Sequence, residues 1–172
     1  MASIVFFRAV NVGSHQRFQP AALARELAGL GVVNVGAAGT LVVKENIPQA
    51  KLRGEILRRL PFKPQLMICP AKEVLALADG EPFGKATGGK DVKAFVSVMT
   101  KPLATPCTPI DYPVGGKWEV RIVGNIGRFI LSLHRHGAKD LYPNAAVEKH
   151  FGLPATTRNW NTIVAVHKVL AQ

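Results

Sequence analysis

The densest concentration of reactive side chains lies near the end of the chain, in Pro154-Ala155-Thr156-Thr157-Arg158-Asn159-Trp160-Asn161-Thr162-Ile163. Six of the seven residues from Thr156 to Thr162 are polar, and the seventh is one of two tryptophans. Apolar residues then recur at helical spacing, which predicts a closing helix from about Arg158 to Leu170. A helix beginning there exposes unpaired N–H groups and a partial positive charge. Together with the Thr156 and Thr157 hydroxyls, the Asn159 and Asn161 amides and the Arg158 guanidinium, that end could hold a phosphate or carboxylate. A cation in a first helical turn is electrostatically misplaced, so Arg158 calls for an anionic partner. The partner is either a ligand or internal. In the internal case a threonine caps the helix, Arg158 pairs with a carboxylate such as Glu148, and Trp160 packs into the core.

A second dense stretch, Phe7-Arg8-Ala9-Val10-Asn11-Val12-Gly13, stands where a first strand ends and a polar loop begins. An unpaired buried cation is costly, so Arg8 must reach the sheet rim or find a partner. Asn11 and Gly13 suit a tight, hydrogen-bonded turn. Either the turn only fixes the loop, or Arg8, Asn11 and Gly13 join Thr156, Thr157, Arg158, Asn159 and Asn161 in one anion-binding locus built from opposite ends of the chain.

Other constellations carry less chemistry. His134 and His136 alternate as on one strand face, but spacing supplies no third ligand, so no metal site is predicted. Ser14 beside His15 is adjacency without a triad, and Gly84 to Gly89 lacks the residue order of a phosphate loop. Cys69 and Cys107 have no C-x-x-C spacing and read as core thiols. No cofactor is predicted. One of the adjacent Phe6 and Phe7 could face outward from a strand, as RNA-recognition sheets require, yet Thr40 to Lys44 offers no aromatic partner.

The two dense stretches, in this order and at these ends of the chain, resemble the bacterial family catalogued as domain of unknown function 1697. The C-terminal motif is intact. Elsewhere Ala9 and Ser14 stand where the family's first motif has glycines, Ala38-Gly39-Thr40 replaces Ser-Gly-Asn, and Glu81-Pro82-Phe83 replaces Asn-Pro-Phe. The resemblance implies a small cytoplasmic α+β protein and a candidate surface, but no reaction.

At 172 residues, 48% of them hydrophobic, the chain can bury a substantial core and is not expected to be disordered. No apolar run approaches the roughly 20 residues that span a bilayer. The apolar start Ile4-Val5-Phe6-Phe7 is too short for a signal-peptide core, so a cytoplasmic location and no membrane partner are expected. The formal charge is +11, a balance that attracts polyanions. It is evenly spread: residues 1–86 carry eleven bases and six acids, residues 87–172 eleven and five.

Periodicity and punctuation arrange these residues on strands and helices. Over residues 3–69 the pattern reads strand, helix, strand, strand, helix, strand, the βαββαβ order of a ferredoxin-like half with both helices on one sheet face. The helices begin at Pro20 and Pro48, and Gly31 stops the first. Residues 71–117 read as a short helix to Ala78, a strand over Val92 to Met99 and Gly/Pro-rich connections. Residues 118–172 read as a hairpin around Gly124 to Gly127 followed by two helices. The expected fold is α+β, a ferredoxin-like half over residues 1–70 and a second related half in one compact, two-layer sheet/helix unit. The expected function is non-catalytic binding of a phosphate-bearing small molecule or nucleic acid through a basic groove between the halves. An enzyme acting on a small anionic substrate and a structural or partner-binding protein are the alternatives.

Overall fold

Ser3–Arg8 forms the first strand, β1, and every residue from Ser3 to Phe7 is buried. A continuous buried run of this kind is what a central strand with both faces covered requires. Phe6 and Phe7 are therefore both inside, and neither offers the outward ring considered above. The computed structural model describes residues 1–8, 18–88 and 90–172. It divides the chain into two units, Met1–Ala78 with Val164–Gln172, and Asp79–Ile163.

In the first unit β1 is followed by α1 (Pro20–Glu26), β2 (Val32–Asn34), β3 (Thr40–Val43), α2 (Gln49–Leu57), β4 (Gln65–Pro70) and α3 (Ala71–Asp79). The sheet order is β2-β3-β1-β4, with every neighbouring pair antiparallel. Each strand–helix–strand crossover is thus split by a strand running the other way, as the βαββαβ pattern demands. Val5 and Phe7, Leu41 and Val43, and Leu66 and Ile68 share one sheet face, because alternate residues of a strand point the same way. Leu23 of α1 and Leu52 and Ile56 of α2 pack into the same cluster, so both helices cover that face. Burying each of these leucine and isoleucine side chains stabilises by about 1.5–3 kcal/mol. Pro20 starts α1, where a missing N–H is harmless. The helix ends earlier than its leucine spacing predicts: a tighter turn over Ala28–Leu30 precedes Gly31, which takes a left-handed φ of 61°.

The second unit contains β5 (Val92–Met99), β6 (Ile110–Tyr112), β7 (Val120–Ile126), β8 (Phe129–Arg135), α4 (Pro143–Phe151) and β9 (Ala155–Asn159), from which α5 (Trp160–Leu170) departs. Its sheet order is β6-β7-β8-β5-β9. Leaving aside the edge strand β6, the order β7-β8-β5-β9 repeats β2-β3-β1-β4. The proline-rich connection over 100–119, which includes β6, takes the place of the first helix. Met99, Ile122, Ile130 and Ala155 on one face of this sheet pack with Val147 of α4.

Three expectations are corrected here. The segment 101–117 is more than a connection, because Ile110–Tyr112 pairs with β7. The closing helix starts at Trp160, and Ala155–Asn159 before it is a strand. The β-branched Thr156 and Thr157 suit a strand, and pairing with β5 overrides the helix-start reading of the same residues. Cys69 is a fully buried thiol as expected, but Cys107 sits half-buried on the connection, its Sγ within 3.3 Å of the Thr108 carbonyl oxygen. Among the described residues no helix is long and apolar enough to cross a membrane.

Two backbone positions give direct tests. Gly39 has a φ of 88°, and a Cβ there would lie 2.9 Å from the Phe7 Cβ and 3.3 Å from the Phe18 Cε1. Gly36, with a φ of 73°, has open space around it. Urea denaturation should show Gly39→Ala losing about 2–4 kcal/mol and Gly36→Ala only about 1–2 kcal/mol, the left-handed term alone. Glu81 holds a left-handed φ of 42° at the position where the family motif has asparagine, a residue that tolerates this region better. Glu81→Asn should therefore raise stability by about 0.5–1 kcal/mol in the same assay.

Candidate functional site

The polar C-terminal motif is positioned by the pairing of β9 with β5. Thr156 lies opposite Val98, Thr157 opposite Ser97, Arg158 opposite Val96 and Asn159 opposite Phe95. Alternation sends Thr156 and Arg158 to one sheet face and Thr157 and Asn159 to the other, the face covered by α4. On the α4 side Ser97 Oγ and Thr157 Oγ1 are 2.6 Å apart, and Thr157 Oγ1 donates to Asn144 Oδ1 at 2.7 Å. A hydroxyl has one proton, so Ser97 must be the donor to Thr157, and the chain runs Ser97 to Thr157 to Asn144. It ends on an amide oxygen. Among the described residues no titratable side chain is bonded to it, and the chain ties β9 to β5 and α4.

On the other face Arg158 is 5% exposed. Its Nη1 donates to Thr156 Oγ1 at 2.8 Å and to the Thr157 carbonyl oxygen at 3.0 Å. Burial pushes the guanidinium pKa down to about 10, which still leaves a cation at neutral pH. Glu148 accepts the Ala155 N–H at 3.0 Å. Arg158 and Glu148 thus both satisfy backbone groups of β9, the edge strand of the sheet, which limits its use as a pairing template.

The arrangement differs from the helix-end site predicted above. Arg158 stands on a strand, and neither threonine caps the helix. Asn159 does so instead: its Oδ1 accepts the Asn161 N–H at 2.8 Å, the N-cap bond of α5. Asn161 is exposed. Trp160 is half-buried, edge-to-face with Phe83 at 5.3 Å between ring centroids. Arg8 ends β1 opposite Gln65, half-buried, on the sheet face of Ile4 and Phe6. It belongs to the first unit and the C-terminal motif to the second. Asn11 and Gly13 lie outside the described residues. His134 is engaged through Nε2, 3.0 Å from the Leu141 carbonyl oxygen, with Phe95 and Tyr142 against its ring, while His136 is exposed.

A cluster that the sequence reading passed over surrounds the other tryptophan. The guanidinium carbons of Arg121 and Arg135 lie over the Trp118 ring, 4.6 and 4.2 Å from its centroid. Register builds this. β6 places Asp111 directly opposite Arg121, and the carboxylate accepts Arg121 Nε at 2.6 Å and Nη2 at 3.0 Å. Arg135, at the end of β8, donates from Nε to the Trp118 carbonyl oxygen at 2.8 Å. The hydrogen bond from Arg121 holds the Asp111 carboxyl below its usual pKa. Beside the pair is a concavity of about 540 Å³ lined by Pro109, Ile110, Asp111, Val114, Gly115 and Arg121. The sequence signal was a tryptophan three residues before an arginine at the start of a strand. It gains meaning only once β6 is known to lie alongside.

Residues 1–125 match the family described as "Protein of unknown function (DUF1697)". No curated protein matches the sequence. Among solved structures the fold is similar to that of the conserved bacterial protein SP0830 from Streptococcus pneumoniae. The TM-score is 0.57 at 16% identity, covering 98% of each chain, a likeness of fold alone.

Because Arg158 is buried and bonded to its own strand, its removal should act on stability. Arg158→Ala should lower the unfolding free energy by about 2–4 kcal/mol, through lost hydrogen bonds to a charged donor and lost packing of the side-chain stem. Urea denaturation measures this. An unchanged midpoint would show that the contacts to Thr156 and Thr157 contribute nothing.

Proposed function

The chain belongs to the DUF1697 family, and from that premise we propose that it is a cytoplasmic, non-catalytic binding protein that takes a phosphate-bearing ligand or nucleic acid on its basic surface. The observation that carries this reading is the formal charge of +11, with bases outnumbering acids eleven to six in the first half of the sequence and eleven to five in the second. Such a field raises the local concentration of polyanions and speeds their encounter. Exposed cations rather than Arg158 supply it, because Arg158 is buried. Lys51, Lys93, Lys117 and Lys139 are exposed, for example.

Fluorescence anisotropy of a labelled oligonucleotide at increasing salt tests the proposal. Binding should be strongest at low salt, and log K should fall linearly with log salt, by about 0.7–0.9 per phosphate contacted. No binding at low ionic strength, combined with saturable thermal stabilisation by one small metabolite, would favour the enzyme reading instead.

A further inference from the structure

We infer that Trp118, Arg121 and Arg135 form the base-stacking contact of a site for single-stranded nucleic acid, an inference that rests on the polyanion-binding reading and deepens it. A guanidinium lying over an indole directs its N–H donors sideways, toward a phosphate, and leaves its outer face for a planar group. Arg121 is suited to this: its side chain is 40% exposed, and Asp111 fixes its orientation through two hydrogen bonds. Arg135 is anchored through Nε to the Trp118 carbonyl oxygen. Both cations are therefore held before a ligand arrives, and less side-chain freedom is lost on binding.

The surroundings favour an unpaired base over a simple anion. The adjoining concavity of about 540 Å³ falls within the roughly 300–1,000 Å³ of ordinary ligand clefts. Ile110 and Val114 give it an apolar wall, and Val114 is 74% exposed. Phosphate alone would gain nothing from an indole and two aliphatic side chains. Charge at the locus is also nearly balanced, since Asp111 and Glu119 accompany Lys117, Arg121 and Arg135. Affinity there must draw on stacking as well as on ion pairing. A duplex would hide its base faces from such a contact, whereas a single strand presents them.

The test uses the full chain carrying Trp160→Phe, which leaves Trp118 as the sole tryptophan, titrated with a short single-stranded DNA while indole emission is followed. Emission should be quenched on binding. Arg121→Ala with Arg135→Ala should weaken binding about tenfold or more, as expected for loss of a stacking contact. The same change should lower the salt slope by about 1.4 if both cations meet phosphates. Gln49→Ala, exposed and uncharged in the other unit, should change affinity by less than about twofold. Should the double alanine variant fail to fold, Arg121→Lys with Arg135→Lys decides: it keeps the charge and should keep the salt slope while losing the quench. Anisotropy of the labelled strand with the unmodified protein gives the affinity whatever Trp160→Phe does to folding. Tight binding with unchanged Trp118 emission and a wild-type double variant would overturn the site but leave the polyanion reading standing. Equal competition by heparin, which has charge but no bases, would overturn the stacking role. No binding of any of these polymers at low salt would remove both.

Discussion

The antiparallel pairing of β9 with β5 is the constraint on which the second unit depends. It places Thr157 against Ser97 and Arg158 against Val96, and so separates a hydroxyl chain on one face from a buried cation on the other. A slip of one residue would exchange the two faces, driving the guanidinium against the helix α4 and the Thr157 hydroxyl away from Asn144. The Ser97–Thr157 and Thr157–Asn144 hydrogen bonds, which cross from β9 to β5 and α4, hold that register. Polar groups of the C-terminal motif thus tie this edge strand to β5 and α4.

The two units share a strand order, and their difference has a chemical consequence. Where the first unit has α1, the second has a proline-rich connection carrying β6. That short edge strand brings Asp111 opposite Arg121 and orients the guanidinium over Trp118. Both members of the ion pair are well exposed, so the pair itself contributes little stability, about 1 kcal/mol or less. Its effect is geometric, holding a flexible side chain in one direction. A repeat of the first unit's helix at this place would provide no such carboxylate.

Burial decides which cations can meet a partner. Arg158 is almost wholly desolvated, and its charge is met at least in part by oxygens of its own strand. Arg121, reaching solvent while held in direction by Asp111, can receive an anion without loss of structure. The same residue type therefore takes opposite roles within one sheet, set by which face and which strand carries it.

Local order was legible in the sequence. The apolar run Ser3 to Phe7, the prolines Pro20 and Pro48 at the starts of the first two helices, the glycine stop at Gly152 and the strand Val92 to Met99 all stand where spacing and punctuation put them. These features depend on residues two to four apart, so the chain displays them directly. The strand character of Ala155–Asn159 and of Ile110–Tyr112 was not legible, because each is short and owes its conformation to a partner strand distant in sequence. The sequence by itself also determined that Arg158, Thr156 and Thr157 needed partners, and that the chain carries a formal charge of +11. Only the tertiary structure decided that Arg158 donates to oxygens of its own strand and that Trp118 lies beneath two guanidiniums, since register between strands is a non-local choice that no periodicity encodes.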